Sequence, residues 1–304
     1  MTAGAMNGAA GGNGATPWLG ALIEDGRIEM HGFDPAGRAL TCLSAQAGES
    51  PADQLAAMAA QLDPRAEVLL LAGWTGGTAL PARPVPCTPL AEGEATAVAP
   101  RGYAGPRLVA LPPIGQASPP DLMGAAAIRV AGALVMEPEF DGVICVVGAR
   151  SFWVHVSAGE IVSFQGFLAG ALLDRLAPPD PLANKDHALL TTEGAAQAFD
   201  TALAETRSRP ERLAAALHRA TLKGTIPPQD DQPDSRRATI AGALIGAELT
   251  AARPYWLGQR VLLLADAPLA EVYKRALDAQ GAEAGSMSAQ QAAALGLAAA
   301  RASL

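Results

Sequence analysis

Lysine is almost missing from this 304-residue chain: Lys185, Lys223 and Lys274 are the only three, and they lie far apart. Arginines are scattered as well, and 22 Lys+Arg stand against 30 Asp+Glu for a net charge of −8. Nucleic-acid backbones are held by clustered cations, so a nucleic-acid partner is disfavoured. Three cysteines, Cys42, Cys87 and Cys145, are an odd number without CxxC spacing. They encode neither a disulfide framework nor a zinc site, and a cytoplasmic protein is the simple expectation. His31, His155, His187 and His218 form no HxH or HxxxH pair, so no metal site is expected. Apolar runs fall short of the roughly 18–20 residues that span a bilayer. The first fifteen residues have no positive start and no continuous apolar stretch, unlike a signal peptide, and read as a disordered leader. GxxxxGK[ST] and GxSxG are also absent. Aromatic residues are only 4% while Ala and Gly abound, which favours close helix–strand packing over an aromatic-rich core.

Half of the residues are hydrophobic, and at about 100–200 residues per domain the length fits two domains. WLGALIEDGRIEMHGF, from Trp18 to Phe33, predicts a hairpin around Asp25-Gly26. Ser50 to Leu62 predicts an amphipathic helix capped by Ser-Pro, and Glu67 to Ala72 a buried strand ending in a glycine-rich loop at Gly73. The proline-dense segment 81–120 supports only short extended pieces and turns. Asp121 to Met136 predicts a helix. Three strands follow between Gly142 and Phe167, with the domain junction near residue 137. FWVHVSAGEIVSFQGF echoes the opening hairpin and suggests a duplicated α/β unit. Further helices are expected over 170–176, 191–206, 210–222 and 235–252; in the last of these, Gly242 and Gly246 permit close approach. Arg260 to Ala265 predicts a buried strand, followed by a helix from Leu269 with Gly281 as its stop. Alternation of strands and helices in both halves argues for an α/β protein.

Several segments, in this order, resemble the 2-dehydro-3-deoxygalactonokinase family. They are the Gly73-Trp74 loop with Val85-Pro86-Cys87, the PDLM segment Pro120 to Met123, and VVGARSFWVHVSAGEIVSFQGFLAGALL from Val146 to Leu173. IAGALIGAEL and LLLADAPLAEVYKRAL complete the set. The resemblance implies a two-domain actin-like ATPase (ribonuclease H-like) sugar kinase fold with a cleft between domains 16–136 and 137–304. It further implies phosphorylation of a 2-keto-3-deoxy sugar acid at its 6-hydroxyl with ATP and Mg2+. The partner expected is the small-molecule sugar acid, with no nucleic acid and no membrane; a homodimer is left open.

The family's motifs also place candidate residues. Where its first phosphate hairpin carries an Asp-Trp-Gly-Thr type motif, this chain reads GATPWLGALI, and Thr16 is the hydroxyl that remains. The catalytic segment resembling Pro-Asp-Val-Met-Arg-Gly-Glu-Glu keeps Asp121, which at a helix start also suits an N-cap. The second phosphate hairpin becomes Gly148-Ala149-Arg150-Ser151: Gly148 and Ser151 permit phosphate approach, and Arg150 offers charge or is a solvated arginine. Asp266 occupies the adenosine-side loop, or caps the helix from Leu269. Gly73, Trp74 and Arg219 are the substrate-side positions. Polar positions of the family pattern have become apolar or small, whereas fold positions persist. Two readings follow: a kinase working through a rearranged site, or a catalytically inactive relative that binds a sugar acid or another protein.

Overall fold

Asp25 and Gly26 both take positive φ, 47° and 74°, the conformation that lets a chain reverse in two residues between twisted strands. The hairpin joins β1 (Trp18–Glu24) to β2 (Arg27–Phe33), as the sequence predicts. The computed structural model describes residues 16–74, 77, 79–90, 92–178, 189–222 and 233–304; the expected leader, residues 1–15, lies outside them.

Next come β3 (Ala39–Gln46), α1 (Pro51–Leu62) and β4 (Val68–Ala72). Ser50 caps α1 by accepting the Asp53 amide at 3.4 Å, and Leu55 and Met58 face the core at helical spacing. The proline-dense segment yields only short strands: β5 (Arg83–Pro84), β6 (Thr96–Val98), β7 (Arg107–Ala110), β8 (Ile114–Ala117) and β9 (Pro120–Met123). The helix expected from Asp121 starts later, as α2 (Ala125–Met136) with Gly124 at its cap position. Residues 120–123 pair with β8 instead, and proline is tolerated at the first residue of such a strand.

Then follow β10 (Gly142–Val147), β11 (Ser151–Ser157), β12 (Glu160–Phe167), α3 (Ala169–Leu176), α4 (Glu193–Ser208), α5 (Leu213–Thr221) and α6 (Pro233–Ala251). The chain ends with α7 (Arg253–Trp256), β13 (Val261–Leu264), α8 (Leu269–Asp278), β14 (Ala284–Met287) and α9 (Ala289–Ala302). Among these, β3, α7, β14 and α9 have no counterpart in the sequence expectations. β3 is half-exposed with no clean alternation, and α9 is an alanine run with little polar contrast.

One sheet runs β3-β2-β1-β4-β7-β6 and another β12-β11-β10-β13-β14; β5-β8-β9 form a third. In both large sheets two antiparallel pairings are followed by two parallel ones. The duplicated unit is therefore visible in the topology, but one strand away from its expected place. The counterpart of β1–β2 is β10–β11, whereas FWVHVSAGEIVSFQGF forms β11–β12, the counterpart of β2–β3.

Two helix pairs depend on glycine. A Cβ on Gly132 of α2 would stand 1.8 Å from the Ala292 carbonyl oxygen, and one on Gly296 of α9 1.8 Å from that of Ile128. This pair serves both halves. Ala126, Ala127, Val130 and Ala292 pack with the second sheet's Ile144 and Leu264, while Ile128, Ala293 and Leu297 pack with Trp18 and Leu22 of the first. Gly242 and Gly246 of α6 also lie close on α4, where a Cβ would come 2.3 Å from the Phe199 carbonyl oxygen and 2.5 Å from that of Leu203, so the small-residue spacing has the role expected of it. No helix among the described residues is long and apolar enough to cross a membrane.

Candidate functional site

The turns of the two equivalent hairpins meet. Arg150, at the β10–β11 turn, donates from Nε to Asp25 Oδ1 at 2.8 Å and Oδ2 at 3.0 Å, across 125 residues of sequence. Arg150 is therefore not a free solvated arginine, and Asp25 is more than a turn residue. Gly148 lies beside this contact, where its carbonyl is covered by Gly170 at the start of α3; a Cβ there would come within 2.1 Å. Gly73 closes the same region from β4. Its φ is +94°, a Cβ would sit 1.8 Å from the Ile23 carbonyl, and Gly124 packs directly on its Cα. Trp74 is packed on the first sheet's core, and Thr16 is exposed just ahead of β1.

The remaining candidates are occupied by structural contacts. Asp121 accepts the Gly166 amide on Oδ2 at 2.7 Å and the Leu122 amide on Oδ1 at 2.8 Å, fastening β9 to β12. It does not cap α2. Asp266 accepts Ser288 Oγ at 2.7 Å and the Gln290 amide at 3.0 Å, so its carboxylate caps α9 rather than the helix at Leu269. The cause is the parallel register of β13 and β14, which pairs Leu264 with Met287 and brings the loop after one strand to the end of the other. Arg219 on α5 is exposed and pairs with Glu205 of α4 at 2.6 Å.

Ser151 is fully buried, and its hydroxyl donates to Glu248 Oε1 at 2.8 Å. Trp153 Nε1 donates to the same oxygen at 2.9 Å, and the Tyr273 hydroxyl donates to Oε2 at 2.9 Å. Burial pushes the Glu248 carboxyl above its ordinary pKa, against the opposing pull of the three donors. Sequence reasoning missed Glu248. Its signal was a lone carboxylate in the apolar run IAGALIGAEL.

A second cluster was missed as well. Glu29, His31 and Cys42 bring their ligand atoms within 4.8 Å of one another, although their linear spacing matches no metal motif. His31 Nε2 lies 2.7 Å from Glu29 Oε1 and 3.8 Å from Cys42 Sγ. Burial alone would lower the imidazole pKa, but the bonds to Cys42 and Glu29 outweigh it and carry it up to about 9.

With this geometry in hand, relatives sharpen the reading. A model of the 2-keto-3-deoxy-galactonokinase family matches residues 24–300. The chain belongs to this family. A Rhizobium meliloti (strain 1021) protein named "Probable 2-dehydro-3-deoxygalactonokinase DgoK1" is 28% identical over 182 residues, covering 60% of this chain and 59% of that protein. The match thus spans about three fifths of the relative's length. A crystal structure of a Sinorhizobium meliloti protein named for the same activity superposes with a TM-score of 0.75 at 21% identity, over 93% of this chain and 95% of the other. At that identity the likeness establishes the fold: an α/β, multi-sheet architecture of the carbohydrate-kinase type.

The family implies ATP and Mg2+, and the residues present fit that pair poorly. Mg2+ takes oxygen ligands, chiefly from one or two carboxylates. Asp121 and Asp266 each have both oxygens engaged in structural bonds, and Asp25 is held by Arg150. The same contact pairs Arg150, the cation that the family resemblance assigns to phosphate.

Proposed function

We propose that this chain keeps the scaffold of a sugar-acid kinase but has lost phosphoryl transfer, and serves as a sugar-acid binding module. The observation that carries this reading is the state of the polar groups at the motif positions. Arg150 is spent on Asp25, Ser151 on Glu248, Asp121 on backbone amides and Asp266 on the α9 cap. Phosphoryl transfer depends on positioning and on charge stabilisation by free donors, a metal and a carboxylate; here the groups that would supply these are committed to the fold. Two domains, 16–136 and 137–304, each organised on its own five-strand repeat, would place the Asp25–Arg150 contact at the mouth of the cleft between them. A cytoplasmic location and a sugar acid as ligand accompany this reading.

The second reading is an active 2-dehydro-3-deoxygalactonokinase with a rearranged site, Asp121 positioning the sugar hydroxyl. The family match across residues 24–300 favours it. Calorimetric titration of the protein with ATP and Mg2+, followed by an assay of ADP formation with 2-keto-3-deoxy sugar acids, separates the two. The expected result is no nucleotide heat at millimolar ATP, with heat on adding the sugar acid alone. Turnover within the usual kinase range of about 1–100 s⁻¹ would sink the binding-module reading.

A further inference from the structure

The two large sheets share a topology, but the first carries on β2 and β3 a set of side chains that the phosphoryl-transfer site does not use. Glu29 and His31 are two residues apart on β2 and so project from the same face. Cys42 is the cross-strand partner of His31 on β3, and antiparallel partners project to the same side. The pleat and the register together assemble one oxygen, one nitrogen and one sulfur donor.

We infer that Glu29, His31 and Cys42 form a binding site for one thiophilic divalent cation of the Zn2+ class. One ligand atom from each residue lies within 4.8 Å of the other two, with His31 Nε2 2.7 Å from Glu29 Oε1 and 3.8 Å from Cys42 Sγ, near enough to close on a single ion by side-chain rotation. Zinc is bound by carboxylate oxygen, imidazole nitrogen and thiolate, whereas Mg2+ requires oxygen alone, so this donor set selects against the metal the family implies.

Outer contacts suit the role. Arg129 of α2 donates from Nη2 to Glu29 Oε2 at 2.7 Å, which fixes the carboxylate and leaves Oε1 turned to His31. Such orientation of a ligand through its second atom is what metal sites use outside their ligands. The charges also close. On metal binding His31 and Cys42 release their protons to water; Glu29 and the Cys42 thiolate then balance a divalent ion, and Glu24, 3.9 Å from Arg129, balances the guanidinium. Three protein ligands leave the fourth tetrahedral position to water or an added ligand, the pattern of open zinc sites. The inference does not rest on whether the protein phosphorylates anything.

Cobalt tests it, because Co2+ replaces Zn2+ and a Co2+–thiolate bond absorbs in the near ultraviolet. Metal-free full-length protein is titrated with Co2+ alone. The expected result is a charge-transfer band that saturates at one equivalent, is abolished by one equivalent of Zn2+, and accompanies a zinc-induced rise in thermal midpoint. Cys42→Ser, nearly isosteric at a half-buried position, removes both the band and the zinc-induced rise, while Cys87→Ser keeps both. No band at stoichiometric Co2+ in the wild type, or a band undiminished in Cys42→Ser, overturns the site. His31→Gln should also abolish stoichiometric binding; because His31 is buried, this variant counts only where its circular dichroism matches the wild type.

Discussion

The second strand of each large sheet carries a polar cluster around a buried side chain, and the two clusters are built on opposite terms. On β11, Ser151 and Trp153 meet the fully buried Glu248, and with Tyr273 they occupy both carboxylate oxygens. On β2, His31 gathers Glu29 and Cys42 beside the partly exposed edge strand β3, with donor atoms that a cation can still share. The closed cluster is a structural pin that ties β11 to α6 and α8. The open one has ligand capacity to spare. Repetition of the fold has therefore not repeated the chemistry, and position in the repeat says less about role than whether the lone pairs are already taken.

Removing the pin should produce the largest effect. Glu248→Ala leaves three buried donors unpaired, each costing about 1–3 kcal/mol, so a loss on the order of 4 kcal/mol is expected in urea unfolding. Glu248→Gln keeps an acceptor for Ser151 and Trp153 and can donate to the Tyr273 oxygen, so its loss should stay below about 1.5 kcal/mol. The two variants separate packing from charge. The folded-state pKa of Glu248 is raised above the ordinary 4.5, so the native state binds this proton more tightly than the unfolded chain does. Its stabilising contribution is complete below the unfolded pKa and is lost as pH rises from there through the folded value. Glu248→Gln should consequently gain on the wild type across that window as pH increases. A pH-independent difference would show that the three donors cancel the effect of burial on Glu248, and a loss of Glu248→Gln against the wild type with rising pH would show that they outweigh it.

The contact shared by both halves comes next in size. A methyl group on Gly296 would meet the Ile128 carbonyl oxygen at 1.8 Å, and backbone cannot swing away as a side chain can. Gly296→Ala should therefore force α9 from α2 at a cost of about 3 kcal/mol, the upper part of the overpacking range. Gly26→Ala offers the contrast, since its Cβ would meet nothing within 4 Å and only its φ of +74° opposes the change. Its loss, read from the same denaturation midpoints, should be about 1 kcal/mol.

Local signals in the sequence located what is local in the fold. Asp25-Gly26 marked the first turn, Ser50-Pro51 the start of α1, and Gly242 with Gly246 the close face of α6, because each acts on its own few residues. The family resemblance supplied the overall fold. What remained hidden depends on pairing. Asp121 reads as a helix cap until β8 claims residues 120–123, and Asp266 reads as the cap of α8 until β14 brings α9 beside it. Ser151 has the look of a phosphate contact, but its partner is 97 residues away. Glu29, His31 and Cys42 become a set only through the β2–β3 register, and β3 lacks the alternation that would reveal it. The repeat itself was legible, one strand out of step, since a short echo of tryptophan, turn and aromatic does not distinguish adjacent hairpins.

The smallest effect bears most on function. Arg150 and Asp25 join the two equivalent turns, yet Arg150 is 47% exposed, so their coupling in a double-mutant cycle of Arg150→Ala and Asp25→Ala should be about 0.5 kcal/mol and shrink with salt. A contact this weak cannot by itself hold out a nucleotide whose phosphates attract the same guanidinium. If the pair were all that suppressed ATP binding, Asp25→Ala would free Arg150 and nucleotide heat would appear in calorimetry. The expected outcome is that no such heat appears, because Ser151, Asp121 and Asp266 remain bound in their structural contacts whatever Asp25 does. Nucleotide binding restored by that one substitution would mean that the site is latched rather than dismantled, and the comparison between the two hairpins would then describe a gate.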